Sequence, residues 1–218
     1  MSDPVEKPAA FDRPRVEAAV AEILRAIGDD PSRSGLVDTP RRVADAYAEF
    51  FGGLATDPLD LLRGAVVPAE PGELGELVIV RDVEFRSVCE HHLLPFLGVA
   101  HVAYVPGEKI VGLGRIPGLV DALASRPQLQ ERLGEEIADA LQQGVEPRGV
   151  LVVLDAAHGC VTSRGSRQSH STTVTVASRG SLAEPAGRAE AIALIGAGRG
   201  AASRGGDAAR AETGAERG

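Results

Sequence analysis

With 218 residues and 44% hydrophobic content, the chain is long enough for one domain with tails and a sizeable core. Aromatic residues make up only 3% and tryptophan is absent, so aliphatic packing must build that core. A net charge of −8 argues against a nucleic-acid-binding surface. No apolar run is long enough to span a membrane and no charged-then-apolar signal opens the chain, so a reducing cytoplasm is the expected location.

Residues 1–14 are polar, contain proline and read as a loose tail. Val16, Ala19, Val20, Ile23, Leu24 and Ile27 then repeat at the spacing of one helical face, ended by Gly28 and a turn over 29–35. Asp38 and Pro40 open a second helix to about Phe51, with Val43, Ala46, Tyr47 and Phe50 expected inward and Gly52-Gly53 as its stop. From Leu77 the texture turns to β, with short β-branched runs over 77–80, 99–105, 150–154 and 173–177. Helices over 119–124 and 127–143 separate the second and third runs, the latter carrying Leu129, Leu133, Ile137, Ala140 and Leu141 on one face. A last short helix covers 186–195, and the Gly/Ala/Arg segment 196–218, without an apolar period, reads as disordered. The expected class is α+β: a domain over 15–195, helical over 15–64 and built from sheet and helix over 65–195.

Chemistry concentrates in two places. Cys89-Glu90-His91-His92 and His158-Gly159-Cys160 hold both cysteines and three of the five histidines. Cys89, His92 and Cys160 offer two thiolates and an imidazole, a donor set that suits Zn²⁺. A disulfide would suit an exported protein, but without a signal and with histidine beside both cysteines, metal ligation is the stronger reading. Three protein ligands leave a position for water, the mark of a catalytic zinc; a structural site needs a fourth, for which only His158 is well placed. His91 and His158 stand beside the ligands and suit proton transfer. If the segment is extended, His158 shares a face with Cys160. Glu90 either orients a ligand or is merely solvated, and His101 and His170 read as packing or loop residues. Arg164 and Arg167, Arg115, and Arg41-Arg42 are candidates for phosphate, with Arg164 favoured by its closeness to Cys160.

Taken in order, these segments resemble the GTP cyclohydrolase I family. The resemblance is carried by Gly35-Leu36 with 38–44, by Cys89 to Leu93 with Pro95-Phe96 and Gly98, and by Arg126 to Leu133. It continues through His158-Gly159-Cys160, Arg164-Gly165, Ser171 to Thr175, and Glu184-Pro185 with Arg188, covering roughly 16 to 195. It implies an antiparallel sheet with helices on one side, the tunnelling-fold type, in a toroidal homo-oligomer, usually a decamer, with active sites between subunits. It also implies zinc on Cys89, His92 and Cys160, and acid/base roles for His91 and His158. Gln130 and Glu131 would recognise guanine, and Arg115, Arg164 and a neighbouring subunit's Arg42 would meet the triphosphate. The implied reaction is hydrolysis of GTP at C8 of the purine, loss of formate, and rearrangement to 7,8-dihydroneopterin triphosphate.

Two departures stand out. Where the family reads Gly-Leu-Ser-Lys and then Arg three residues on, this chain reads Gly112-Leu113-Gly114-Arg115 and then Gly118; beyond Arg164-Gly165, Ser166 and Gln168 replace a hydrophobic and a lysine. The chemistry set is intact and the phosphate set is thinned. That leaves, as the alternative to a working enzyme, a non-catalytic or altered-substrate paralogue that binds purine nucleotides in an oligomer.

Overall fold

The computed structural model describes residues 10–70, 72 and 75–197; most of the expected tail over 196–218 and of the one over 1–14 lies outside them, while Gly196 and Ala197 still belong to the last helix. Two helices come first, α1 (Arg13–Ala26) and α2 (Thr39–Phe50). Asp12 caps α1 by accepting from the Arg15 N–H at 3.1 Å, and this starts the helix inside the segment read as a loose tail. The turn to α2 is held by Arg33, which reaches both carboxylate oxygens of Asp29 at 2.8 and 2.9 Å. No α1 residue is buried, and Ile23 and Ile27 are 59% and 71% exposed. In α2 the buried residue is Ala44, while Ala46, expected inward, is exposed: the helix rests on α1 and on the turn at Gly52, a narrower contact than its apolar spacing suggests.

A short helix, α3 (Pro58–Leu62), and a two-stranded ribbon of β1 (Val66–Pro68) with β4 (Lys109–Val111) had no clear sequence signal. The main sheet uses β2 (Val78–Cys89), β3 (Pro95–Val105), β5 (Pro127–Gln128), β6 (Gly149–His158) and β7 (Thr173–Gly180), in the order β5-β2-β3-β6-β7. Every pairing is antiparallel except the short parallel contact of β5 with the end of β2. The strands outrun their β-branched centres; polar and small residues such as Ser87, Gly98 and Ala156 continue the ladders because neighbouring strands supply their partners.

Helices α4 (Arg115–Ala124) and α5 (Gln130–Val145) cover one face of the sheet. Alternation sends Ala100, Val102 and Tyr104 of β3 and Val150, Val152 and Leu154 of β6 into this core, against Leu133, Ile137 and Leu141 of α5. The opposite residues, Ala103 and Leu151, form a smaller cluster with Ala191 and Ile195 of α7 (Pro185–Ala197). Arg179 of β7 pins α5 through Glu135 at 2.5 Å and Asp139 at 2.8 Å. The α+β class with an antiparallel sheet is the one expected.

Candidate metal centre and active site

The site forms where β2 turns into β3 and where β6 ends. Cys89 closes β2, and its N–H donates to the Leu94 carbonyl while the Leu93 N–H donates back to the Cys89 carbonyl, both at 2.9 Å. Leu93 sits at φ 52, a left-handed conformation that lets the chain reverse over 90–94. The segment is tied sideways as well: the Glu90 N–H donates to the Gln128 carbonyl at 3.1 Å, and Arg132 of α5 grips the Glu90 carboxylate at 2.6 and 3.1 Å. That guanidinium holds the Glu90 carboxyl below its ordinary range. Glu90 is therefore tied to α5 and not merely solvated.

His158 is the last residue of β6 and pairs across the ladder with Phe96. The extended geometry ends there. Cys160 sits in α6 (Gly159–Thr162), so it approaches the centre through a helical turn and not along the strand, as an extended segment would have had it. Gly159 permits this: a Cβ at that position would lie 2.7 Å from the Pro95 carbonyl oxygen.

These two corners bring one donor atom each from Cys89, His92 and Cys160 within 4.8 Å of one another. Cys89 is buried, Cys160 partly so, and His92 exposed. Burial pushes the Cys160 thiol above its ordinary pKa, and the neighbouring Cys89 adds to the shift. Two thiols crowded in this way resist carrying charge together, whereas a divalent cation between them would deprotonate both and relieve the crowding. The residues fit a metal ion, and sulfur with imidazole favours a zinc-type ion over calcium or magnesium.

Around this centre the imidazoles differ. His91 is exposed, its ring 6.2 Å from that of His92 and nearly perpendicular to it. His158 lies half-buried, stacked on Phe96 with centroids 4.7 Å apart and planes 8° from parallel. Burial lowers its pKa, with Glu131 acting in the opposite sense. Glu131 is exposed at the start of α5, whereas Gln130 beside it is 1% exposed with its amide bonded inside the protein. The Nε2 hydrogens of Gln130 are thus spent inside the protein, and its amide oxygen faces His158.

Arg164 is close enough to Cys160 to act on it electrostatically, so it belongs to the neighbourhood. Arg115 begins α4 and is exposed. Arg42 lies on α2 and pairs with Asp38 at 3.2 Å, with no link to the metal cluster in this chain. His101 is 2% exposed and accepts from the Asp82 N–H at 3.2 Å, a packing role as expected. Sequence reasoning missed the contacts of Gln130 and Arg132, which depend on how α5 meets β2, β6 and β7, and no local signal marks them.

Comparison with known proteins places these features in company. The family model described as GTP cyclohydrolase I matches residues 16–196. A protein named GTP cyclohydrolase 1 from Leifsonia xyli subsp. xyli is 66% identical over 188 residues, covering 86% of this chain and 97% of its own length. Proteins of the same name from Streptomyces griseus subsp. griseus and Thermobifida fusca are 50% identical over 204 residues and 52% over 191; the alignments cover 89% and 86% of this chain, and 98% and 90% of the relatives.

Proposed function

Since the chain belongs to the GTP cyclohydrolase I family and carries GTP cyclohydrolase activity, we propose that it works with one zinc ion held by Cys89, His92 and Cys160. The reaction is hydrolysis of the purine ring of GTP at C8, with formate release and rearrangement to 7,8-dihydroneopterin triphosphate. The convergence of those three donor atoms within 4.8 Å is the observation that carries this reading. When bound, the ion supplies Lewis acidity at a position left open for water.

The chain's own residues do the rest. His158, kept neutral by burial and held against Phe96, handles protons at the purine as the ring opens. His91, exposed on the turn between two ligands, serves the later proton transfers. Glu131 accepts from the ring N–H and 2-amino donors of guanine, a match that only a carboxylate at that position provides. Arg164 and Arg115 pair with the triphosphate, joined by Arg42 of a neighbouring subunit.

A homo-oligomer, a decamer in this reading, completes the site. It is supported by α1, which buries no residue and leaves Ile23 and Ile27 open, and by Val174 and Val176, 58% and 45% exposed on the edge strand β7. Among the described residues no helix is long and apolar enough to cross a membrane. The cytoplasm is the proposed compartment because thiolate ligands need a reducing one, and both cysteines are free.

Purified protein loaded with zinc should release formate from GTP and yield a pterin that fluoresces after oxidation. Absence of formate, with metal confirmed in every subunit, rejects the proposal.

A further inference from the structure

The amide of Gln130 is fully committed within the protein. Its Nε2 lies 3.1 Å from the Leu154 carbonyl, 2.8 Å from the Thr173 carbonyl and 3.2 Å from the Thr175 hydroxyl, and its Oε1 lies 2.7 Å from Nε2 of His158. Carbonyl oxygens only accept, so the reverse orientation of this amide would set oxygen against oxygen twice in a buried place. The orientation is thus decided by chemistry. Because Oε1 also only accepts, the hydrogen shared with His158 must sit on the imidazole Nε2. In the neutral ring the lone pair then falls on Nδ1.

Two further contacts hold this arrangement. Phe96 covers one face of the His158 ring. Leu154 and Thr175 are register partners of β6 and β7, so Gln130 reaches a point where two strands and the start of α5 meet. We infer that Gln130 is a positioning residue that locks His158 in the Nε2–H tautomer and leaves Nδ1 as the nitrogen available to the substrate. Adjacent residues at one helix start divide the work: Glu131 meets the ligand, and Gln130 orients the group that acts on it. The inference rests on the reading of His158 as a proton-handling imidazole.

Neutron diffraction from deuterium-exchanged crystals of the zinc-loaded full chain tests the tautomer directly. Deuterium on His158 Nε2, directed at Gln130 Oε1, is expected; a bare Nε2 with deuterium on Nδ1 overturns the inference. In parallel, Gln130→Met keeps the length and removes the amide, and should lower kcat by about 10–100-fold with KM for GTP unchanged within about twofold. A raised KM with unchanged kcat would make Gln130 a purine contact and overturn the inference. Thr175→Val removes one acceptor of the same amide while sparing the His158 bond, and should keep kcat near the wild-type value. If it falls as far as Gln130→Met, the effect is structural and the positioning role fails. Should Gln130→Met not fold, the neutron map of the unaltered protein decides alone. His158→Ala with undiminished formate release would sink the reading of His158 itself, whatever the neutron map shows.

Discussion

Arg132 on α5 holds Glu90 through two hydrogen bonds of 2.6 and 3.1 Å, and Glu90 lies between a metal-site cysteine and the two histidines that follow it. A helix on the core side of the sheet thereby fixes the turn that carries two of the three proposed zinc ligands. As an exposed, solvent-screened ion pair it adds little to global stability. Its effect should be local. Arg132→Ala is expected to leave the melting temperature nearly unchanged while weakening zinc retention about tenfold or more in chelator competition. Arg132→Lys, which cannot grip with two parallel donors, should recover only part of it. Unchanged zinc affinity in Arg132→Ala would refute the support role.

Cys160→Ser and Cys89→Ser should each abolish stoichiometric zinc and formate release together, as measured by elemental analysis and turnover. Chelation of the unaltered protein should do the same, with recovery on adding zinc. A Cys160→Ser protein that keeps both metal and activity would rule out the ligand set.

Glu131 is proposed to read the guanine edge, and inosine triphosphate lacks the 2-amino donor. Glu131→Gln should raise KM for GTP by roughly 10-fold or more, given about 1.5–3 kcal/mol for a charged hydrogen bond. The penalty should be smaller for inosine triphosphate. Equal penalties for both would place Glu131 elsewhere.

Gly114 and Gly118 leave open space, since a Cβ at either would meet nothing within 4 Å. Gly118→Arg, inside the first turn of α4, should fold without strain and gain roughly 0.5–1 kcal/mol of helix propensity. If the thinned phosphate set limits binding, Gly118→Arg with Gly114→Ser should lower KM for GTP and leave that for guanosine unchanged. No change for GTP would mean that the existing arginines already saturate the triphosphate.

Asp29 has its pKa lowered to about 2, first by the hydrogen bond from Arg33 and then by the Asp30 N–H. A depressed carboxyl pKa stabilises the folded turn above the ordinary value near 3.8, and this contribution is lost as pH falls through about 2. An NMR titration should therefore find Asp29 still ionised at pH 3, and Arg33→Ala should return it toward the ordinary range. High salt should shrink the difference, because the pair is exposed.

The legible parts of this protein were those governed by local rules. Gly28, left-handed at φ 90 just past α1, and Pro40, in the first turn of α2, mark helix ends because such backbone preferences act within a few residues. Leu133, Ile137 and Leu141 mark the buried face of α5 because a helix laid along the sheet buries the side on which its 3.6-residue apolar period falls. The strands run longer than their β-branched centres predict: residues such as Ser87 and Ala156 have no β preference of their own and are held by their partners. Periodicity alone turns Ala46 inward, yet burial on α2 depends on what packs against it: Ala44 is buried, Val43, Tyr47 and Phe50 are partly so, and Ala46 is exposed.

By itself the sequence determined the donor chemistry: two thiols and three neighbouring imidazoles, in an order that matches one family. The tertiary structure decided what those residues do with one another. A turn at Leu93 and a helical step at Gly159 gather Cys89, His92 and Cys160, and the meeting of α5 with β6 and β7 spends the Gln130 amide on His158. The physical reason is range. Ligand type is a property of a side chain, whereas distance and hydrogen-bond direction between Gln130 and His158 exist only once helix and sheet have packed.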